Sequence, residues 1–153
     1  VDTITANEQT NKYEGRKHLM AVRLPILNCL WNDVIHLSPV HPSKIKRALI
    51  ETGYQDVPPV RSFFMIDPEA LIPSKAVHFS NSTDTAAKYD FPESDFTAFE
   101  NSRYQELTDI PEEQHSYFVR IKAEGGRPLL WARTPHVFYR GEINIKHAKV
   151  VQW

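Results

Sequence analysis

Three side chains that could do chemistry lie within or beside short apolar segments. His36 lies in the segment DVIHLS, His78 lies in AVHFS, and Tyr89 ends the segment TDTAAKY. An imidazole can form a hydrogen bond with a hydroxyl group and can exchange a proton near neutral pH. A tyrosine ring offers a flat face on which a planar group can stack. These residue types make the three side chains candidates for a binding or catalytic site.

Two predicted strands carry the histidines. Apolar and polar residues alternate over 33–38 and over 76–80, which is the pattern of a short strand with two different faces. Each histidine therefore shares a face with the serine two positions later, Ser38 in the first strand and Ser80 in the second. We expect both imidazoles and the ring of Tyr89 to line one cleft.

Helices and further strands make up the rest of the predicted domain. The spacing of apolar residues in SKIKRALIETG predicts a helix, with Gly53 in the left-handed position that often ends one. A short helix is predicted over 83–89, and the segment 90–111 is predicted to be a long loop of the kind that often carries function. Further strands are predicted over 62–66, 117–123, 129–132, 136–140 and 143–151. This mixture indicates an α+β fold.

Length and charge narrow the class of protein. The 153 residues suffice for one domain, which we expect over 18–153 behind a polar leader at 1–17. The formal net charge of −1 gives no general attraction to nucleic acid or anionic lipid. No stretch is long and apolar enough to span a membrane, and the N-terminal segment is too polar for a secretory signal. We expect a soluble chain that works in a cytoplasm, its own or one to which it is delivered as an effector.

Metal chemistry and phosphate-binding glycine loops find no support in the sequence. The seven histidines include no HExxH pattern, and the single cysteine, Cys29, can form neither an internal disulfide nor a thiolate cluster. The sequence contains no GxGxxG and no Walker pattern. We therefore expect a site without a metal ion, in a protein without a membrane partner.

The order of these segments resembles the ADP-ribosyltransferase superfamily over about residues 34–151. The stretch IHLSPVHPSKIKRALIETGY is similar to the family's opening strand with a histidine, then Ser or Thr and an amphipathic helix. VHFSNSTDTAAKY is similar to its Phe-Ser block with a following helix that ends in tyrosine, and FYRGEINIKHAKVV is similar to its last strands. The resemblance implies a split, twisted β-core with peripheral helices. It also implies an enzyme that moves ADP-ribose from NAD to a protein or nucleic-acid acceptor, and a toxin or effector domain is one form that such an enzyme takes.

Individual residues receive roles from the same resemblance. His36 would contact a ribose of NAD, Tyr89 would stack on the nicotinamide, and Glu142 would be the acid that stabilises the positively charged transition state. The predicted NAD-binding residues are His36, Ser38, Arg61, His78, Ser80 and Tyr89, and the predicted catalytic residues are His36 and Glu142. Arg61 is included for a reason independent of the resemblance, because a guanidinium, here that of Arg61, Arg23 or Arg140, matches two oxygens of a pyrophosphate. His78 stands where the family usually has tyrosine, and this departure is similar to the RNA 2′-phosphotransferase branch.

Two other functions stay open on sequence alone. The first is an RNA-acting enzyme, either a 2′-phosphotransferase relative or a metal-free ribonuclease in which His36, His78 or His136 exchanges protons with the ribose 2′-hydroxyl. The second is a catalytically silent nucleotide-binding module. It arises because the family acid, counted back from the INI run, would fall near residues 134–136, where no acidic residue stands.

Overall fold

The computed structural model describes residues 17–57, 59–82 and 91–153. Within these ranges, helices and antiparallel strands are combined, which confirms the predicted α+β class. The α-helices are α1 (Pro42–Thr52) and α2 (Glu112–Ala123). The strands are β1 (Arg23–Leu24), β2 (Cys29–Leu30), β3 (Ile35–Leu37), β4 (Ser62–Met65), β5 (Ala76–Phe79), β6 (Phe96–Ala98), β7 (His136–Tyr139) and β8 (Lys149–Gln152). The predicted helix at 83–89 and, apart from Lys17, the predicted leader lie outside the described residues.

Four strands form one antiparallel sheet in the order β3, β7, β5, β6. His36 of β3 lies opposite Phe138 of β7, and Phe138 in turn lies opposite Val77 of β5. Residues that face each other across strands point to the same side of a sheet, and successive residues along a strand point to opposite sides. The register therefore decides which chemical groups can meet.

Apolar clusters cover both faces of this sheet. On the face that carries Phe138, the rings of Phe79 and Trp31 lie 5.2 Å and 5.0 Å from its ring centroid. The buried residues of the opposite face are Leu71, Ala76, Phe99, Val137 and Tyr139. Strand β7 is thus enclosed from both sides, which explains why its sequence HVFY is nearly all apolar.

The predicted first helix is confirmed, and its ends follow from its sequence. Pro42 stands in the first turn, where its missing N–H costs nothing. The ring of His41 accepts a hydrogen bond from the Ser43 backbone N–H at 3.3 Å. At the other end, Gly53 adopts a φ of 94°, a left-handed conformation that a glycine reaches without steric cost.

The strand predicted over 117–123 is wrong, because this segment belongs to helix α2. Two glutamates fill the first turn of α2 and basic residues fill its last turn, so both ends suit the helix dipole. The buried residues of the helix are Gln114, Tyr117 and Phe118. Their three- and four-residue spacing is that of one helical face.

Helices α1 and α2 pack against each other around a shared apolar cluster. Its buried members are Val40, Ile45, Ala48, Leu49, Tyr117, Phe118 and Trp153. The hydroxyl of Tyr54 donates a hydrogen bond of 2.9 Å to the Phe118 carbonyl, which ties the end of α1 to α2. In the described ranges, neither of these helices nor any other is long and apolar enough to cross a membrane.

A second, two-stranded antiparallel ribbon is formed by β4 and β8, with Phe63 opposite Val151 and Phe64 opposite Val150. The predicted strand at 62–66 is therefore confirmed in position. The strand predicted over 143–151 is shorter than expected, since pairing begins only at Lys149. The strand predicted over 129–132 is wrong, because that segment runs into a turn.

Candidate functional site

A groove of about 1020 Å³ opens where strand β3 ends. One side is formed by β3 and the chain leading into α1, and the other by the β4–β8 ribbon and the segment that precedes β8. The polar or aromatic residues that line it include His36, Ser38, His41, Phe63, Asp67, Tyr104, Glu106, Trp131, His136 and His147. We call this feature the groove.

His36 lies on the edge strand of the sheet and lines the groove. Its Nε2 atom is 3.2 Å from the Trp31 carbonyl oxygen, and its ring lies 4.7 Å from the ring of Phe138. Ser38 also lines the groove, and its hydroxyl accepts a hydrogen bond from the Val40 backbone N–H at 3.2 Å. His36 of β3 and Ser38, which follows the end of β3, were both predicted as site residues, and both line the same groove.

His136 is a second imidazole on the His36 side of the sheet. His36 lies opposite Phe138, which is two residues after His136, so the two histidines point to the same face. Their ring centroids are 6.2 Å apart in an edge-to-face arrangement. Sequence reasoning considered His136 only for an RNA-acting enzyme, although the alternation of His136 with Phe138 in HVFY was a usable signal.

The surroundings of His136 keep its ring neutral. Burial lowers its pKa from 6.5 to about 3, and the neighbouring rings of His36 and, more weakly, His78 add to this shift. The Thr134 backbone acts in the opposite direction. Desolvation dominates because an imidazolium ion taken out of water loses its hydration. At neutral pH the ring offers one hydrogen-bond donor and one acceptor.

The expectation that His78 shares a cleft with His36 is not met. His78 lies opposite Val137, so it points to the face of the sheet away from His36 and His136. Half-burial there lowers the pKa of His78 through desolvation. Ser80 continues that strand end, where its backbone N–H donates to the Asp95 carbonyl at 2.8 Å. Neither His78 nor Ser80 is among the residues that line the groove.

Two further predicted site residues, Glu142 and Arg61, are also not among the residues that line the groove. Glu142 is exposed and precedes the groove-lining segment that starts at Ile143. Arg61 is exposed, and its guanidinium lies 5.3 Å from the ring centroid of Trp153. Tyr89 lies outside the described residues.

An acidic residue that sequence reasoning missed, Glu106, lines the groove. The adjacent Leu107 donates its backbone N–H to the Pro39 carbonyl at 2.9 Å, which anchors Glu106 beside the end of β3. Tyr104 is half-buried nearby, and its pKa is raised by burial and further by the Glu106 charge. The predicted loop at 90–111 was expected to carry function, but no residue pattern within it singled out Glu106.

Aromatic rings form part of the groove wall. The rings of Phe63 and Trp131 both line the groove and lie 6.0 Å apart. The ring of Phe63 also lies 5.9 Å from the ring of Trp153. The two rings stand at 77° to each other, so a planar heterocycle can stack on the flat face of one of them.

Neither a metal centre nor a known relative identifies the groove. Among the residues that the structure describes, no group of three or more His, Cys, Asp or Glu side chains could hold a metal ion. Comparison of the chain with protein-family models, with curated proteins and with solved structures gives no match. The function of the groove must therefore be argued from its own residues.

Proposed function

We propose that this chain binds NAD in the groove and transfers the ADP-ribose unit to a macromolecular acceptor. The observation that carries this proposal is the position of His36, an imidazole held by the Trp31 carbonyl on an edge strand that borders the groove. Ligand sites commonly measure about 300–1,000 Å³, so a groove of about 1020 Å³ has room for a dinucleotide. A split, twisted β-core of the ADP-ribosyltransferase type, with the ligand between the four-stranded sheet and the β4–β8 ribbon, belongs to the same proposal.

A carboxylate near the sugar is the second requirement of this chemistry. Breaking the bond between ribose and nicotinamide leaves positive charge on the ribose, and a fixed negative charge stabilises that transition state. We assign this role to Glu106, which lines the groove, in preference to Glu142, which does not. Asp67 also lines the groove, but its carboxylate already accepts a hydrogen bond from the Glu69 backbone N–H at 2.9 Å.

The aromatic wall supplies the third requirement. Phe63 and Trp131 stand at 77° to each other, so one of their rings can stack on a planar base, the role that the resemblance assigned to Tyr89. His36 then contacts the ribose, and Ser38 stands beside it at the end of the same strand. In this arrangement the ribose lies beside His36 and Ser38, and the base attached to it lies against an aromatic ring. NAD would thus be held on both sides of its glycosidic bond.

Nicotinamide release tests the proposal directly, with water as the acceptor when none is supplied. We expect the chain to release nicotinamide from NAD, and Glu106→Gln to lower the rate by about 100-fold or more, because the stabilising charge is lost. Glu142→Gln is the matched control, and its rate should stay close to that of the unchanged chain. No nicotinamide release, or a loss confined to the Glu142 variant, would contradict this assignment.

A metal-free ribonuclease is the second candidate, favoured by one observation. His36 and His136 border the same groove, and their ring centroids are 6.2 Å apart. An acid and a base that exchange protons with one ribose could be arranged in this way. The pKa of His136, at about 3, makes this ring a weak base at neutral pH, and for that reason we prefer NAD. RNA cleavage that disappears in His136→Phe would reverse the preference.

NAD binding without nicotinamide release would indicate a silent nucleotide-binding module.

A further inference from the structure

We infer that the acceptor of the proposed transfer is a protein, and that an extended segment of it binds in the groove as an added strand at the free edge of β4. This inference rests on the proposed function for the role of the segment as acceptor, whereas the binding mode does not depend on NAD. In the transfer, a nucleophilic side chain of the segment forms a bond to the ribose carbon as the bond to nicotinamide breaks. Nicotinamide leaves with the electron pair of that bond, and the nucleophile gives up its proton to water.

The β4–β8 ribbon leaves one edge of β4 unpaired. Within the described ranges, this sheet has only two strands. The Trp153 backbone N–H donates to the Arg61 carbonyl at 3.2 Å, which fixes the residues whose main-chain groups join the two strands. Because these groups alternate along an antiparallel pair, the N–H and C=O groups of Ser62 and Phe64 point away from β8. They form a row to which another extended chain can pair.

The free edge of β4 borders the groove. All residues of β4, 62–65, line the groove, although only every second side chain of a strand points to one face. Successive residues line a groove when the edge of the strand, with its main-chain groups, faces it. The edge strand β3 lines the groove from the opposite side. An extended segment can therefore lie between the two strands and extend the sheet of β4, a common mode of peptide recognition.

An apolar surface within the groove suits the side chains of an added strand. Leu71, Phe99 and Val137 are buried members of one cluster, and Leu37 packs against it. Every second side chain of an extended segment points to the same face, so one alternate set can contact this surface. A nucleic acid would instead need several cationic side chains for its phosphates. Of the lysines and arginines that the structure describes, only Lys149 lines the groove.

The charges of the groove favour a basic segment. Apart from histidines, the charged residues that line it in the described part of the chain are Asp67, Glu106 and Lys149. Two carboxylates against one ammonium group attract positive charge and repel negative charge. We therefore expect the acceptor segment to alternate apolar and basic residues.

Binding of two synthetic heptapeptides to the folded chain, measured by calorimetry without NAD, tests the inference. Both peptides are acetylated and amidated, and one alternates lysine with valine whereas the other alternates glutamate with valine. We expect the lysine peptide to bind saturably and at least about tenfold more tightly than the glutamate peptide, because of the two carboxylates in the groove. An absence of saturable binding, or equal binding of both peptides, would overturn the inference.

N-methylation of the lysine peptide separates an added strand from a purely electrostatic contact. Only alternate N–H groups of a strand point to its neighbour. Methylating one alternate set should therefore weaken binding at least about tenfold, the effect of two or more lost hydrogen bonds, and methylating the other set should not. Equal effects of the two sets would show that no strand is added.

Proline substitutions identify the edge that binds. Phe64 and Val150 lie opposite each other, are 55% and 54% exposed, and both direct their N–H groups away from the partner strand. Proline removes this N–H without removing a bond of the ribbon. Phe64→Pro should weaken binding of the lysine peptide at least about fivefold, whereas Val150→Pro, outside the groove, should bind it as the unchanged chain does.

A further variant separates the Phe64 N–H group from the ring. Phe64→Ala keeps the N–H and should bind the lysine peptide more tightly than Phe64→Pro. Equal affinities of Phe64→Pro and Val150→Pro would overturn the inference. Thermal melting shows that each variant is folded, and the methylated peptides suffice if Phe64→Pro is not.

The outcomes keep this inference distinct from the proposed function. Edge-dependent peptide binding without nicotinamide release from NAD would support the added strand and overturn the transferase. Nicotinamide release without peptide binding, or transfer of ADP-ribose to an oligonucleotide in place of a peptide, would overturn the added strand and support the transferase. A dimer of the unchanged chain that Phe64→Pro disrupts would show that a second copy occupies the edge, which would also overturn the inference.

Discussion

At the residue scale, the neutral ring of His136 links folding to pH. Its pKa is about 3 in the folded chain, against an ordinary value of 6.5, so the unfolded chain binds more protons between these values. Stability contributed by this residue is therefore fully present above pH 6.5 and is lost as the pH falls toward 3. Each unit of pKa difference corresponds to about 1.4 kcal/mol, and solvent access to the half-buried ring reduces the effect.

We predict that His136→Phe loses less stability than the unchanged chain when the pH falls from 7 to 4. The difference between the two chains should be on the order of 2 kcal/mol, because phenylalanine has no proton to gain. Urea unfolding at several pH values measures it. Carboxylates titrate in both chains and cancel in the comparison. Parallel pH profiles would show that the ring is solvated or protonated in the folded state.

The residue scale also shows where sequence reasoning succeeds and where it stops. Alternation correctly placed His36 on the face opposite Leu37, and His78 on the face opposite Val77. Whether His36 and His78 point to the same face depends on how β3 and β5 pair with β7. A shift of one residue in either pairing would move the side chains of that strand to the other face. That register is set by tertiary packing around Phe138, so the separation of His36 from His78 could not be read from either segment alone.

At the element scale, the four-stranded sheet depends on the ring at its centre. Phe138 is completely buried, whereas Phe64 on the β4–β8 ribbon is 55% exposed. We predict that Phe138→Ala lowers the free energy of unfolding by about 4 kcal/mol, because it removes buried surface and leaves a cavity.

The same truncation at Phe64 is the matched control for this prediction. Phe64→Ala should cost less than about 0.5 kcal/mol, since its ring is mostly in water already. Chemical unfolding followed by circular dichroism measures both variants. Equal losses would mean that the sheet is not the main core of the domain.

The error at α2 has a physical explanation at this scale. The aromatic and β-branched residues from Tyr117 to Ile121 have strand propensity, and their alternation imitates a half-buried strand. Signals for a helix were present in Pro111, the glutamates that follow it and the glycines after Glu124. Helix α1 was predictable because its N-terminal proline, apolar spacing and final glycine all agree.

At the scale of the whole molecule, the groove is assembled from segments far apart in the chain. His36, Glu106 and His136 come from an edge strand, a connecting segment and an inner strand. The sequence indicated His36 directly, and it indicated Glu106 only as part of the predicted long loop. Their convergence results from the Pro39 contact to Leu107 and the pairing of β3 with β7, which are long-range contacts that local patterns do not contain.

Titration of the folded chain with NAD, followed by calorimetry, tests the central claim most directly. We predict saturable binding that becomes about five- to tenfold weaker in His36→Phe, which keeps the ring contacts to Trp31 and Phe138 but removes the hydrogen-bonding nitrogens. His115→Gln, at an exposed position of α2 outside the groove, should bind NAD as the unchanged chain does. An absence of saturable binding, or equal affinity in His36→Phe, would contradict the account.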